Sequence, residues 1–368
     1  MLSFDKIKNA SNTSLSHASY TLYGDMSRRV MYCLSRFTPD MEVYSIDEAF
    51  LGLDGFSHLD LTDYSLQMQR YVFRATRIPI SVGIGPTKTL AKLANRIAKN
   101  RQRQADGNGV FNLCDRALQN ALLPTISVND VWGIGKRWSA KLQARGIATA
   151  AQLRDTEPGV IRQMSNVVLE RTVYELQGIS CLGLEDIQPK KQIMCSRSFG
   201  RLVTSKSDLL EAISCHGARV TEKLRQQQSR AGGLYVFLKT NRFSINEPQY
   251  QNSITFAFSA PTGHTGEVIS AARAGLQRIF CSGFRYQKCG VMLMDIAPAN
   301  IIQCNLFCQR DHERDDRLMR AIDQLNSKMG TGTVEFAAQG IRRDWQMRQA
   351  MRSPRYTTRL AEAMIVKC

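Results

Sequence analysis

The region from about residue 190 to residue 298 constrains the fold of this chain more than any other part of its sequence. Apolar residues there recur with the two-residue period of strands in some segments and with the longer period of helices in others. The predicted elements are a strand, helix, strand, strand, helix and strand over residues 192–199, 207–227, 232–240, 253–260, 266–280 and 286–297. This βαββαβ order is typical of a ferredoxin-like unit with its own sheet.

Shorter patterns precede this unit. Helical spacing covers residues 20–37, 60–76 and 87–100, and short strands are predicted at residues 41–46, 49–53, 80–84 and 109–111. Such alternation predicts a sandwich of the split βαβ kind. Residues 112–185 are helical with almost no strand signal. We therefore expect an α+β protein of two to four domains, because 368 residues can bury several cores.

The charge of the chain predicts a large polyanionic partner, because the net charge is +17 and the pI is near 9.6. No apolar run reaches membrane-spanning length, and the N-terminus lacks a signal-peptide pattern. The ten cysteines form no Cys-x-x-Cys pair and the five histidines show no metal-ligand spacing, so a zinc site is not expected. A reduced intracellular protein fits these features best.

Two adjacent carboxylates, Asp47 and Glu48, lie between the two short strands at residues 41–53. A carboxylate pair on a short sheet element suits Mg²⁺, which serves phosphate chemistry. The alternative is a polar hairpin tip with no chemical role. Because adjacent strand residues point to opposite faces, both acids can serve one site only if the turn redirects one of them.

The helix that follows Thr87 has a basic side and an apolar side. Within about a third of its circumference lie Lys88, Lys92, Asn95, Arg96 and Lys99. The opposite side carries Leu90, Leu93, Ala94 and Ile97. Thr87 is a suitable N-cap. The basic side either meets a triphosphate or is an ordinary solvated face.

The segment from Val131 to Lys136 carries Gly133 and Gly135 on either side of one apolar residue, ahead of a predicted helix. Such a turn leaves backbone N–H groups exposed at a helix N-terminus, where they bind phosphate without reading sequence. Several cations follow the turn, beginning with Lys136 and Arg137. They favour the interpretation of this segment as a helix-hairpin-helix that binds the DNA backbone. The alternative is a plain corner between two helices.

An apolar island, Gln303–Phe307, interrupts the polar linker at residues 299–313. Exposed Leu306 and Phe307 in a linker favour insertion into a pocket of a partner protein. The alternative is that the pair folds back on its own domain.

Together these motifs resemble the Y-family translesion DNA polymerases, and within that family the UmuC-type catalytic subunit of bacterial DNA polymerase V. Tyr44–Phe50 is similar to the palm motif, the segment from Val82 to Lys99 to the next palm segment, and Val131–Gly135 to the thumb hairpin. The likeness extends from about Tyr20 to Lys367. Further matching stretches are Val167–Val173, Cys195–Gly200, Gln303–Phe307, and the tail from Gly340 to Arg359.

The resemblance implies five regions. They are a partial ferredoxin-like palm at 1–111, a helical thumb with the helix-hairpin-helix at 112–188, a ferredoxin-like little finger at 189–298, a linker with a clamp-binding peptide at 299–313, and a UmuC-type C-terminal region at 314–368.

It also implies roles for individual residues in template-directed nucleotidyl transfer past damaged bases, during the SOS response. Asp47 and Glu48 would hold Mg²⁺ and carry catalysis, and Lys99 and Lys92 would contact the incoming triphosphate. DNA contacts would come from Gly133, Gly135, Lys136, Arg137 and Arg197. Gln303, Leu306 and Phe307 would bind the sliding clamp.

The other implied partners are damaged primer-template DNA, an incoming deoxynucleotide, a processed UmuD-type dimer and a RecA filament. The implied location is the cytoplasm, at the nucleoid, with no membrane partner.

Compared with the family pattern, the chain begins several dozen residues late, and Asp5 lacks the motif around the family's first catalytic aspartate. We therefore expect this chain alone to polymerise poorly or not at all. The alternative function is a catalytically inactive remnant that binds DNA and the sliding clamp.

Overall fold

The computed structural model describes residues 19–104, 107–185, 189–300, 311–347, 354–363 and 365. The chain divides into two compact units, each described here by itself. The first unit comprises Ala18–Ile187 with Ser353–Cys368, and the second comprises Met1–His17 with Gln188–Arg352.

The described part of the first unit combines helices with two short strand pairs. The helices are α1 (Tyr20–Leu34), α2 (Leu61–Thr76), α3 (Lys88–Arg103), α4 (Arg116–Leu122), α5 (Lys136–Gln143), α6 (Ala150–Asp155), α7 (Pro158–Met164) and α8 (Val167–Gln177). The strands are β1 (Met41–Val43), β2 (Ala49–Leu51), β3 (Val82–Ile84) and β4 (Val110–Asn112). β1 pairs antiparallel with β2, and β3 pairs parallel with β4.

The first predicted strand, at residues 41–46, is shorter than expected. It ends at Val43 because the backbone N–H groups of Tyr44 and Ser45 both turn back to the carbonyl oxygen of Glu48, at 3.1 and 3.0 Å. The acidic pair therefore belongs to a tight turn between β1 and β2. In a turn the two-residue alternation of a strand does not apply, so Asp47 and Glu48 are not held to opposite faces by strand geometry.

Helix α3 joins the strand pair β3–β4 to the bundle of α4–α8. Its N-cap is Thr87, whose side chain accepts a hydrogen bond from the N–H of Leu90, as the sequence predicts. Leu90 and Leu93 are fully buried in a core shared with residues of α5, α6 and α8. α3 also lies so close to β3 that a Cβ on Gly83 would meet the backbone of Asn95. Only glycine permits this approach, which fixes the helix against the strand.

The described part of the second unit contains the βαββαβ order that the sequence predicts. Its elements are β5 (Ile193–Val203), α9 (Lys206–Gln226), β6 (Ser229–Thr240), β7 (Gln251–Thr262), α10 (Thr265–Ile279) and β8 (Tyr286–Pro298), followed by α11 (His312–Met329). The strand order is β5-β8-β6-β7 and every neighbouring pair is antiparallel. β8 thus separates the parallel strands β5 and β6, and the predicted α+β class is confirmed.

Helices α9 and α10 cover one face of this sheet. They bury alternate residues of the strands, Leu234, Val236 and Leu238 on β6 and Cys289, Val291 and Leu293 on β8. The chain beyond β8 adds to this core. Met319 of α11 and Trp345 are both buried, and Arg225 of α9 binds Asp323 of α11 at 2.6 Å.

Across the described residues, no helix is both long and apolar enough to cross a membrane.

Candidate active site and nucleic-acid surfaces

The turn between β1 and β2 presents the predicted acidic pair. The hydroxyl of Ser45 donates to Asp47 Oδ1 at 2.7 Å and accepts from the N–H of Asp47 at 3.3 Å. Asp47 is exposed, and Glu48 is half-buried. The serine therefore orients the aspartate while leaving its second carboxylate oxygen open to solvent or a ligand.

Glu48 is held by the helix that the sequence predicted to face it. Lys92 Nζ on α3 donates to Glu48 Oε2 at 2.7 Å. The same ammonium lies 4.7 Å from the ring centroid of Tyr44, 5.5 Å from that of Phe50 and 5.6 Å from that of Trp132. Cation–π attraction adds to the ion pair, so Lys92 fixes the turn against α3.

A second lysine of α3 makes a similar contact one turn earlier. Lys88 pairs with Glu42 of β1, and its ammonium lies 4.9 Å from the ring centroid of Phe50. Glu42 also accepts the N–H of Glu185 at 2.8 Å. Both lysines are mostly buried, so this part of the basic side of α3 is not the freely solvated face that was the alternative.

Lys99 differs from these two lysines. It is exposed and has no ion pair or hydrogen bond within the described residues. Seven residues separate it from Lys92, a rise of about 10 Å along the helix. The structure therefore brings Lys92 to the acidic turn. Lys99 lies further along the same helix, and its ammonium group is available to bind an anion.

A buried carboxylate that sequence reasoning missed supports the start of α3. Glu175 of α8 is fully buried and accepts the N–H groups of Thr89, Cys181 and Leu182 at 3.0, 2.7 and 3.2 Å. Its negative charge lies at the positive end of the α3 dipole. In the sequence, the feature that could have revealed it is an acidic residue between Val173 and Leu176, on the buried side of the helix.

The described residues fit a divalent metal only in part. Mg²⁺ is commonly bound by one or two carboxylates together with substrate phosphates, and Asp47 with Glu48 can supply those carboxylates. Among the described residues, however, no group of three or more Asp, Glu, His or Cys side chains is arranged to hold a metal ion. The donor set fits one ion shared with a triphosphate and does not by itself form a two-metal centre.

The predicted helix-hairpin-helix turn is formed as a tight corner before α5. Gly133 has a φ of +86°, a conformation that L side chains rarely adopt. Gly135 is the N-cap of α5 and offers no side chain to cover the helix end. Lys136 and Arg137 are exposed at that N-terminus. Free backbone N–H groups and two cations are thus present together, as phosphate binding requires.

The remaining predicted contacts are in the second unit and the linker. Arg197 is exposed on β5, where it pairs in register with Cys289 of β8. Gln303, Leu306 and Phe307 lie outside the described residues.

Comparison with known proteins agrees with this architecture. The impB/mucB/samB family profile matches residues 1–96, the impB/mucB/samB family C-terminal domain matches residues 190–306, and a domain of unknown function, DUF4113, matches residues 316–366. Protein UmuC of Salmonella typhimurium is 45% identical over 95% of this chain and 83% of its own length. Protein SamB of Salmonella typhimurium is 42% identical, over 95% and 83%.

The fold is that of a DNA polymerase. A chimera of the Y-family DNA polymerases Dbh and Dpo4 superposes with a TM-score of 0.57 at 16% identity, over 76% of this chain and 78% of that one. Within that class, the chain belongs to the impB/mucB/samB family of UmuC-type Y-family DNA polymerases. These are DNA-directed DNA polymerases of error-prone translesion synthesis, and they generally need a divalent metal.

Proposed function

We propose that this chain serves error-prone translesion synthesis in the SOS response, with Asp47 and Glu48 as acidic groups of its polymerase site. The observation that carries the proposal is the contact between Lys92 and Glu48 at 2.7 Å. It joins the acidic turn to the lysine row of α3 in a chain of the UmuC-type family. Nucleotidyl transfer needs this combination, because carboxylates bind metal and cations neutralise phosphate charge.

Magnesium is the metal we propose for Asp47 and Glu48. When bound, it would supply Lewis-acid stabilisation of the charge that develops on the transferred phosphoryl group. The exposed Asp47 carboxylate is the more available donor, because Glu48 already binds an ammonium. Ser45 would hold Asp47 in one orientation through its 2.7 Å hydrogen bond.

Lys92 and Lys99 are the residues that we propose for the incoming triphosphate. Lys92 is within reach of the acidic turn, and a phosphate near that turn would compete with Glu48 for its ammonium. Lys99 has no partner among the described residues, so binding a phosphate would break no ion pair there. Two cations on one helix face would together reduce the repulsion between the triphosphate and the acids.

DNA would be held through its backbone by the corner at Gly133 and Gly135, with Lys136 and Arg137 as phosphate contacts. The exposed Arg197 would add a contact from the second unit, which would be the little finger. Contacts of this kind position a duplex without reading its sequence.

The partners that we propose beyond DNA and deoxynucleotide are the sliding clamp, through Gln303, Leu306 and Phe307, a processed UmuD-type dimer and a RecA filament. Support for them comes from the resemblance to UmuC-type subunits. A location in the cytoplasm at the nucleoid is part of the same proposal.

Primer extension with Mg²⁺ tests the catalytic assignment. An Asp47→Asn variant should lose at least about 100-fold of the extension rate, because one donor of the metal and its charge are removed. Asp54→Asn, at an exposed acid outside the turn, is the matched control and should extend primers like the parent. If the parent chain binds primer-template DNA but does not extend the primer, the non-catalytic DNA- and clamp-binding alternative is correct. If the parent extends the primer and Asp47→Asn extends it equally fast, the assignment of Asp47 is wrong.

Duplex binding tests the backbone clamp. The Lys136→Gln, Arg137→Gln double variant should weaken binding equally across sequences and lower the slope of log K against log salt by about 2. Arg70→Gln with Arg74→Gln, two exposed cations of α2, is the matched control. A loss confined to particular base sequences would contradict backbone recognition.

A further inference from the structure

Trp132 belongs both to the corner before α5 and to the surroundings of the acidic turn. It directly precedes Gly133, and the residues near it on either side, Val131 and Ile134, are buried in the core that α3 shares with the helical bundle. The N–H of Ile134 donates to the carbonyl oxygen of Val131 at 3.1 Å, which closes the backbone turn around Trp132. The backbone that carries the indole is therefore fixed, and the ring has a defined position.

The indole contacts two rings next to the acidic pair. Its ring centroid lies 5.5 Å from that of Tyr44, with the planes at 81°, and 5.6 Å from that of Phe50, with the planes at 52°. The centroids of Tyr44 and Phe50 are themselves 5.7 Å apart. Such tilted and edge-to-face contacts are the geometries that aromatic pairs prefer. One ring from the corner thus packs against two rings that flank Asp47 and Glu48.

The ammonium group of Lys92 lies over all three rings, 4.7–5.6 Å from their centroids. A ring face attracts a cation without neutralising its charge, whereas the carboxylate of Glu48 does neutralise it. If a triphosphate competes with Glu48 for this ammonium, the rings remain as its partners. They would keep the cation beside the acidic turn with its charge available to the phosphate.

The alternative is that the three rings are ordinary packing between the corner and the acidic turn. An ion pair that is removed from water adds little stability compared with apolar residues of similar size, so packing alone does not account for a lysine where the rings converge. A second contact joins the corner to α3, between Arg96 and Asp130 at 2.6 Å, but half of the Arg96 side chain is exposed. Because exposed ion pairs hold geometry weakly, Trp132 rather than this pair fixes the corner relative to Lys92.

We propose that Trp132 is a positioning residue of the polymerase reaction. It holds the Lys92 ammonium beside the acidic turn, where the incoming triphosphate would bind. Since the same residue is part of the corner proposed for the DNA backbone, it also fixes Lys92 relative to that corner. This inference rests on the proposed function of Asp47, Glu48 and Lys92.

Lysine acetylation followed by mass spectrometry tests the placement of Lys92 in the full chain and requires no catalysis. Trp132→Leu keeps apolar bulk but removes a ring face, and should raise the acetylation rate of Lys92 at least about threefold. The rate at Lys88, which pairs with Glu42 on the same helix, should change less than about twofold. Partial unfolding of the unit would instead expose both lysines. Trp132→Phe restores a ring and should keep the Lys92 rate within about twofold of the parent.

Trp138→Leu is the matched control. Trp138 is half-buried like Trp132, and its ring lies 4.8 Å from the ammonium of a different lysine, Lys141. This variant should leave the acetylation of Lys92 as in the parent. An unchanged Lys92 rate in Trp132→Leu, or an equal rise at Lys88, would overturn the proposal.

Nucleotide binding tests the link to the reaction. A complementary deoxynucleotide is titrated with Mg²⁺ into the chain bound to a primer-template whose primer ends in a dideoxynucleotide, so that binding is measured without turnover. Trp132→Leu should raise the Kd for the nucleotide at least about threefold, with the primer-template Kd within about twofold of the parent, and Trp132→Phe should restore it. Fewer binding sites with an unchanged Kd would show a purely structural role and contradict the proposal.

These outcomes are distinguishable from those for the polymerase site. If Asp47→Asn leaves primer extension unchanged while Trp132→Leu exposes Lys92 and weakens nucleotide binding, only the assignment of Asp47 is wrong. If Asp47→Asn abolishes extension while Trp132→Leu changes neither Lys92 acetylation nor nucleotide affinity, only the role of Trp132 is wrong. A parent chain that binds primer-template DNA but no deoxynucleotide would overturn both.

Discussion

Lys92 Nζ lies 2.7 Å from Glu48 Oε2 and 4.7–5.6 Å from the ring centroids of Tyr44, Phe50 and Trp132. One lysine thus joins the turn that carries the acidic pair to the helix that carries the basic row. The two residues are 44 positions apart in sequence. Their contact places Glu48 against α3, and Asp47 belongs to the proposed site as the neighbouring residue of the same turn.

Replacing Lys92 by methionine should destabilise the first unit by about 1–2 kcal/mol, because a partly buried ion pair and several cation–π contacts are lost together. Urea unfolding followed by the fluorescence of Trp132 would measure the change, since that ring is part of the contact. Lys99→Met, which removes an exposed lysine without a described partner, should change the free energy of unfolding by less than about 0.5 kcal/mol. Equal effects of the two variants would contradict a specific role for Lys92.

Replacing Glu175 by glutamine should destabilise the same unit by about 2 kcal/mol or more. The amide removes the negative charge at the N-terminus of α3 and puts a donor where three N–H groups converge. Glu157→Gln, at an exposed N-cap without a side-chain hydrogen bond, is the control. Thermal or urea unfolding would compare the free energies of unfolding of the two variants. An unchanged unfolding midpoint for Glu175→Gln would contradict the role of the buried carboxylate in stabilising the start of α3.

The stability of the second unit should fall as the pH is lowered from about 6.5 to 4. Burial, aided by the nearby charges of Arg197 and Lys288, lowers the pKa of His216 to about 4. The unfolded chain therefore takes up a proton in this range while the folded chain does not, so stability is full above pH 6.5. The loss on acidification is up to about 3 kcal/mol.

His216→Phe should flatten that dependence, as measured by urea unfolding at several pH values. His58→Phe, at an exposed histidine of the first unit, is the control and should leave the profile of the second unit unchanged. A profile as steep in His216→Phe as in the parent would assign the pH dependence to other groups.

Trp345→Ala should destabilise the second unit by about 3–5 kcal/mol. The indole is only 5% exposed and lies 6.1 Å from the ring centroid of Phe199 and 6.2 Å from that of His216. Its backbone oxygen also accepts the N–H of Gly200 at 3.0 Å. Met347→Ala, two residues further and exposed, should have little effect. Thermal unfolding followed by circular dichroism would measure both variants. A lower midpoint for Trp345→Ala alone would show that this segment is part of the core of the second unit, and equal midpoints would show that it is only loosely attached.

Several features could be predicted from sequence because they depend on residues within a few positions of each other. The βαββαβ order, the Thr87 cap and the burial of Leu90 and Leu93 all follow from local periodicity and local hydrogen bonding. The motif around Gly133 likewise indicated a tight corner before a helix. The length of the first strand could not be predicted in this way. The strand at Met41 ends early because the N–H groups of Tyr44 and Ser45 bond to the carbonyl oxygen of Glu48 rather than to a partner strand.

By itself, the sequence determined the element order, the acidic pair and the basic side of α3. Only the tertiary structure decided that Lys92 rather than Lys99 meets Glu48, that Glu175 caps α3, that β8 lies between β5 and β6, and that Trp345 completes a core. Each of these contacts joins residues far apart in the chain. Their selection depends on how apolar surfaces pack and on which buried charges then find partners, and no local pattern contains that information.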